Sequence, residues 1–169
     1  FKRENILSPE TFLVSSPAKD ISFPLFAKQR RGEGSTNCMI LEDERDLEFC
    51  CKKFPEHIIQ QHISGVEYSI DWYSKRDSIP LVIVPRERLA IRTGEVMVSR
   101  ICMNRKVIEV VRDLGSRLRL HGPCTLHGIL DEGGQFYFTD INLRFGSGSV
   151  HSIAAGANIP LLIYKFLHL

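Results

Sequence analysis

An acid, an amide and a base stand at alternate positions in the run YFTDINLRFG, residues 137–146: Asp140, Asn142 and Arg144. On an extended strand, residues two apart point to the same face. The three side chains are therefore expected to project together from one side of a sheet. A carboxylate and a carboxamide both offer oxygen to a hard cation such as Mg²⁺, and a guanidinium beside them suits phosphate. That combination at a strand end points to nucleotide chemistry. The plain alternative is a hydrogen-bonded cluster without a ligand.

Other residues could complete such a site. Lys28 ends an apolar run and directly precedes the loop QRRGEGST, residues 29–36, which contains Arg30, Gly32, Gly34 and Ser35. A lysine there can reach phosphate oxygens while loop N–H groups cap the others. The loop lacks the GK[ST] ending of a Walker A motif, and a solvated basic turn is the alternative. Gln61, His62 and Ile63 lie in a connector that leads to Glu67. Its backbone can pair with an adenine edge and the carboxylate beyond can hold ribose hydroxyls; it can equally be a plain connector. Arg86, Arg88 and Arg92 read as a polar loop able to clamp an anion, or as a solvated face. His127 falls mid-strand, on a hairpin arm beside the strand of Asp140. A lone histidine in such a place is more often part of a core.

The elements that must position these residues follow from periodicity. Strands are expected over 23–28, 37–41, 57–61, 67–73, 80–84, 94–102, 124–130 and 135–141. Asp131-Glu132-Gly133-Gly134 makes the hairpin turn between the last two. Helices are expected over 44–53, capped by Asp43 and ended by Pro55, and over 104–118, where Val107, Ile108, Val111 and Leu114 share a face. Two closing helices fall over 150–157 and 160–167. Many strands with few crossover helices imply an α+β fold with mainly antiparallel sheets. The lobes are expected at 1–66 and 67–169.

The totals exclude some classes. The 169 residues carry 22 basic and 20 acidic side chains, a net charge of +2, which argues against a nucleic-acid partner. No apolar run approaches the ~20 residues of a membrane helix, and no signal-peptide pattern is read at the start. The five cysteines show no CxxC spacing, which argues against a zinc site or a disulfide framework. Free thiols fit a reducing cytosol, so a cytoplasmic location is expected.

Taken in order, these pieces resemble the ATP-grasp superfamily, in particular carbamoyl-phosphate-synthase-like and carboxylate–amine ligase members. The resemblance runs from SPET (residues 8–11) through FPLFAK (23–28) and the glycine-bearing loop to QQHISGVEYSID (60–71), which is similar to the family's Q-E-x-x-x-G-x-E-Y-x-x-D. It continues through VPR (84–86) and RTGE (92–95) to FTDINLRFG (138–146), set against F-x-E-I-N-P-R-F-G. Asp140 stands where the pattern has glutamate, His127 where it has glutamine or glutamate, Gln61 where it often has an acid, and Leu143 where it has proline.

The resemblance implies an ATP-grasp fold, with two lobes enclosing a nucleotide cleft and ATP and Mg²⁺ as cofactors. Lys28 and the loop with Arg30, Gly32, Gly34 and Ser35 would meet the phosphates. Gln61, His62 and Ile63 would border adenine, and Glu67 would bind ribose. Asp140 and Asn142 would hold the metal, with His127 at the family's other metal-side position. Arg144 would face the γ-phosphate or an acyl phosphate, and Arg92 would stand near the phosphates. The implied chemistry is phosphorylation of a carboxylate by ATP, followed by attack of an amine. A non-catalytic module of the same fold, or one subunit of a split enzyme, is the alternative. The Rossmann-like domain that the family places before this region has no counterpart in the sequence. An N-terminal domain, a partner subunit or a second copy of the chain is therefore an expected partner, beside ATP and an anionic carboxylate substrate.

Overall fold

The computed structural model describes residues 1–16, 22–31, 37–92 and 94–167. Gly32, Gly34 and Ser35 of the expected phosphate loop lie outside the described residues. The chain divides into two compact units, Pro9–Ser64 and Phe1–Ser8 with Gly65–Leu169.

In the first unit, four short antiparallel strands form a sheet in the order β1-β4-β2-β3: β1 (Thr11–Leu13), β2 (Leu25–Gln29), β3 (Met39–Leu41) and β4 (His57–Gln61). Leu25, Ala27, Leu41 and Ile59 turn one face of this sheet inward, where Cys50 of α1 (Glu44–Lys53) covers it. The sequence dictates that helix. Asp43 caps it by accepting from the N–H groups of Arg45 (2.8 Å) and Asp46 (3.1 Å), and Lys52 and Lys53 occupy its last turn. Strand β1 carries no clear alternation and was not expected; it forms because β4 offers it an edge.

The second unit is a five-stranded antiparallel sheet in the order β7-β6-β5-β8-β9. Its strands are β5 (Gly65–Ser74), β6 (Pro80–Arg92), β7 (Glu95–Ile101), β8 (Gly122–Asp131) and β9 (Phe136–Asn142). Strand β6 runs past the expected residue 84. Arg86, Arg88 and Arg92 are therefore strand residues and not part of a polar loop, because Arg86 finds a buried partner that rewards continued pairing. One face of the sheet buries Tyr68, Ile70, Trp72, Leu126, Phe136 and Phe138 against Val107, Val111 and Leu114 of α2 (Arg105–Arg117). Each such side chain contributes roughly 1.5–3 kcal/mol. Trp72 lies against Gly115 so closely that a Cβ there would sit 2.1 Å from its ring. The glycine thus admits the largest side chain of the core at the expense of helix propensity. Two short helices, α3 (Ser149–Ala154) and α4 (Ile159–Leu167), follow β9.

Strand β9 contains one irregularity that decides the site. Phe136 and Phe138 face the core. Simple alternation would send Asp140 into the same core. The register instead shifts between His127 and Gly128: Phe138 pairs with Gly128, and Asp140 pairs with His127. Thr139 is the extra residue, a β-bulge that reverses the phase of the strand. Asp140 and Asn142 consequently face away from the core, while Ile141 packs against it. Gly128 makes the bulge feasible, because a Cβ there would lie 2.4 Å from the Phe136 ring and 2.7 Å from the Tyr137 carbonyl oxygen.

Gly128→Ala is expected to destabilise the protein by about 1–3 kcal/mol through overpacking. Gly133→Ala, in the exposed turn where the added Cβ meets only ordinary contacts, is expected to change stability by less than about 0.5 kcal/mol. Denaturant unfolding of both variants checks the contrast.

Candidate functional site

Pairing register places two polar rows across the second sheet, on the face away from α2. The first reads Arg86, Ser69, His127, Asp140 and the second Val84, Asp71, Thr125, Asn142. Directly paired residues share a face, so side chains distant in sequence become neighbours.

Asp140 and Asn142 lie side by side, the Asn142 amide donating to Asp140 Oδ2 at 2.8 Å. Arg144 lies beyond the end of β9, in a bend, so alternation does not govern its direction. Its side chain is exposed and Nη1 donates to the Phe145 carbonyl at 3.0 Å. The three residues are sequence neighbours of one strand end, but only the first two project from the strand itself.

His127 stands opposite Asp140, with Nδ1 3.1 Å from Ser69 Oγ. Burial pushes its pKa down to about 4; the Arg88 and Arg86 guanidinium groups add to this, and the Asp140 and Asp71 carboxylates oppose it. The imidazole is therefore neutral near pH 7. Glu67 lies on the same face and pairs with Arg88, whose Nη1 is 3.1 Å from Glu67 Oε2. Burial lowers the Arg88 pKa from its usual value, and the Glu67 carboxylate opposes this. Arg92 ends β6 in register with Glu95.

In the first unit, Lys28 sits on the sheet face opposite α1, in register with Ile58. Arg30 follows at the end of β2 and is exposed. Gln61 closes β4 in register with Leu25, and its N–H donates to the Glu10 carbonyl at 2.8 Å. His62 and Ile63 follow it, both half-buried.

Beneath the second row lies a buried polar cluster that charge pattern alone does not reveal. Asp71 and Arg86 form an ion pair in which each side chain is 1% exposed, Arg86 Nε lying 2.9 Å from Asp71 Oδ2. Ser149 Oγ donates to Asp71 Oδ1 at 2.7 Å, and Ser152 Oγ donates to Oδ2. Thr125 Oγ1 is 3.4 Å from Asp71 Oδ1 and 3.2 Å from the Arg144 carbonyl, and it accepts from the Gly146 N–H at 2.8 Å. His151 Nδ1 is 2.5 Å from Ser99 Oγ of β7. Helix α3 is thus fastened to the polar face by three side chains. The one available signal was parity: Asp71 follows Glu67 by four residues on the same strand and must share its face.

The sequence family described as "ATP-grasp in the biosynthetic pathway with Ter operon" matches residues 53–168, more than half of the chain. The chain belongs to this ATP-grasp family. No curated protein matches the sequence. Solved structures share the fold. A biotin carboxylase from Campylobacter jejuni, a β-γ-ATP complex, is 15% identical with a TM-score of 0.72, over 90% of this chain and 40% of that one. An N5-carboxyaminoimidazole synthetase from Staphylococcus aureus, complexed with ADP, is 17% identical with a TM-score of 0.72, over 90% and 44%. A D-alanine–D-alanine ligase from Bacillus anthracis, complexed with ATP, is 16% identical with a TM-score of 0.68, over 97% and 61%. This chain spans less than two thirds of the length of each. No helix among the described residues is long and apolar enough to cross a membrane.

The ATP-grasp family implies a nucleotide and Mg²⁺, and the donor set can be tested against that metal. Among the described residues no group of three His, Cys, Asp or Glu side chains is placed to hold an ion. Mg²⁺, however, keeps several waters and takes one or two carboxylates together with phosphate oxygens. The Asp140 carboxylate and its Asn142 neighbour fit that requirement. The His127 imidazole offers nitrogen, which suits softer metals better.

Arg86→Met is expected to cost about 3–5 kcal/mol, because it strands the Asp71 charge in the interior. Asp71→Asn added to it should recover part of that loss. Equilibrium denaturation of the single and double variants measures both effects.

Proposed function

We propose that this chain is the ATP- and Mg²⁺-binding part of an ATP-grasp ligase that activates a carboxylate as an acyl phosphate for attack by an amine. The observation that carries the reading is the Asp140–Asn142 pair, turned off the core by the Thr139 bulge within the stretch that matches the family. The carbamoyl-phosphate-synthase-like form of this chemistry rests on the ordered sequence motifs. The nucleotide complexes of the biotin carboxylase, the carboxyaminoimidazole synthetase and the D-alanine ligase support the cofactor assignment by analogy.

In this reading each side chain has a stated task. Lys28 and the loop beginning at Arg30 and containing Gly32, Gly34 and Ser35 meet the phosphate oxygens, Lys28 as a point charge. The backbone of Gln61, His62 and Ile63 borders the adenine edge. Glu67, oriented by Arg88, accepts from ribose hydroxyls. Asp140 and Asn142 hold Mg²⁺, with His127 neutral on the metal side. The metal, when bound, supplies charge neutralisation between phosphate oxygens. Arg144 and Arg92 neutralise charge on the phosphoryl group being transferred. Such a transfer asks the protein for positioning and electrostatics and not for a nucleophile. That suits thiols such as Cys124, whose pKa burial pushes up to about 11.

Millimolar ATP with Mg²⁺ is expected to raise the melting temperature. At a hundredfold excess over Kd the stabilisation is about 2.7 kcal/mol, or about 5–10 °C for a chain of this size. Asp140→Ala should abolish the Mg²⁺-dependent part of the shift. An unmoved melting temperature in a folded sample would overturn the proposal. A shift indifferent to Mg²⁺ would reduce it to nucleotide binding without a metal site.

A further inference from the structure

Thr125 occupies a junction that the proposed chemistry does not itself use. It is paired laterally with Asp71 on β5 and with Asn142 on β9. The residue is 1% exposed. Its hydroxyl accepts the Gly146 N–H at 2.8 Å, and its single proton is shared between the Arg144 carbonyl at 3.2 Å and Asp71 Oδ1 at 3.4 Å. The segment it holds is a bend rather than a strand, so no ladder of backbone hydrogen bonds fixes the path of the chain there. On the other side, Asp71 is held by Arg86, Ser149 and Ser152, which makes it a rigid reference point. The backbone that carries the exposed Arg144 side chain is thus tied to the buried ion pair through one hydroxyl.

We propose that Thr125 is a positioning residue that sets the backbone at Arg144–Gly146, and so aims the Arg144 guanidinium at the terminal phosphoryl group. This rests on the reading of the site as a Mg²⁺–nucleotide site. A threonine in this place does what an additional strand pairing would do, but for a segment that has left the sheet. Valine has nearly the same shape and no hydroxyl, and it suits a β-strand. The substitution therefore removes the tether while keeping the sheet.

The test compares two probes, AMP-PNP with Mg²⁺ and AMP, by titration calorimetry on wild type, Thr125→Val and Thr125→Ser. Thr125→Val is expected to weaken AMP-PNP about tenfold, the scale of one lost hydrogen bond with a stranded partner. AMP, which lacks the terminal phosphates, should change by less than about twofold, and Thr125→Ser should restore AMP-PNP binding. In an Arg144→Ala background Thr125→Val should have no further effect, because it acts through that arginine. Equal affinity in wild type and Thr125→Val, equal losses for both probes, or failure of serine to rescue would each overturn the inference. Thr125→Ala serves the same comparison if valine prevents folding. If wild type binds neither probe, the nucleotide reading fails instead, and hydrogen exchange of the Gly146 amide then decides. Exchange about tenfold faster in Thr125→Val and restored in Thr125→Ser upholds the tether; unchanged exchange overturns it.

Discussion

A carboxylate and a guanidinium removed from water must satisfy one another and nearly everything around them, and the Asp71–Arg86 pair imposes that demand on the second unit. Each ion loses solvation worth several kcal/mol, which the partner and further hydrogen bonds must offset. Asp71 therefore gathers hydroxyls from Thr125, Ser149 and Ser152 as well as Arg86. Those hydroxyls belong to β8 and α3, so the pair decides where α3 sits and, through Thr125, where the chain runs after β9. The apolar face of the same sheet needs only volume and shape; the polar face needs specific partners, and this pair supplies the first of them.

The parts of this fold that were legible in the sequence are those governed by local rules. The helix Glu44–Lys53 and the strand His57–Gln61 fall where capping, apolar spacing and Pro55 place them. The hairpin between β8 and β9 forms at Asp131–Gly134, with Gly134 at φ 74°. The buried network was not legible, because its members are 15, 54, 78 and 81 residues from Asp71. Pairing register alone brings them together, and charge pattern by itself made Arg86 look like part of a solvated loop. Strand β1 escaped for a related reason: three residues paired to one edge carry too little alternation to be seen.

For the site, residue type and spacing identified Asp140 and Asn142 as neighbours on one face, and the structure places them so. Spacing could not see that Arg144 leaves the strand, nor that Glu67 meets Arg88. His127 is held neutral by burial and two nearby arginines, and burial raises the thiols of Cys50 and Cys124.

The bulge at Thr139 has a consequence for comparing such chains. A strand's two faces are distinguished by odd and even counting, and Thr139 is the residue that changes the count between the phenylalanines and the acid–amide pair. Two relatives could share every letter of F-x-D-I-N and still differ in whether the acid meets solvent or oil, if one of them lacked the mismatch opposite Gly128. Identity at aligned positions is then weaker evidence of a shared site than agreement in strand phase. A glycine on the neighbouring strand, outside the acid–amide pair itself, becomes the mark by which that phase can be recognised.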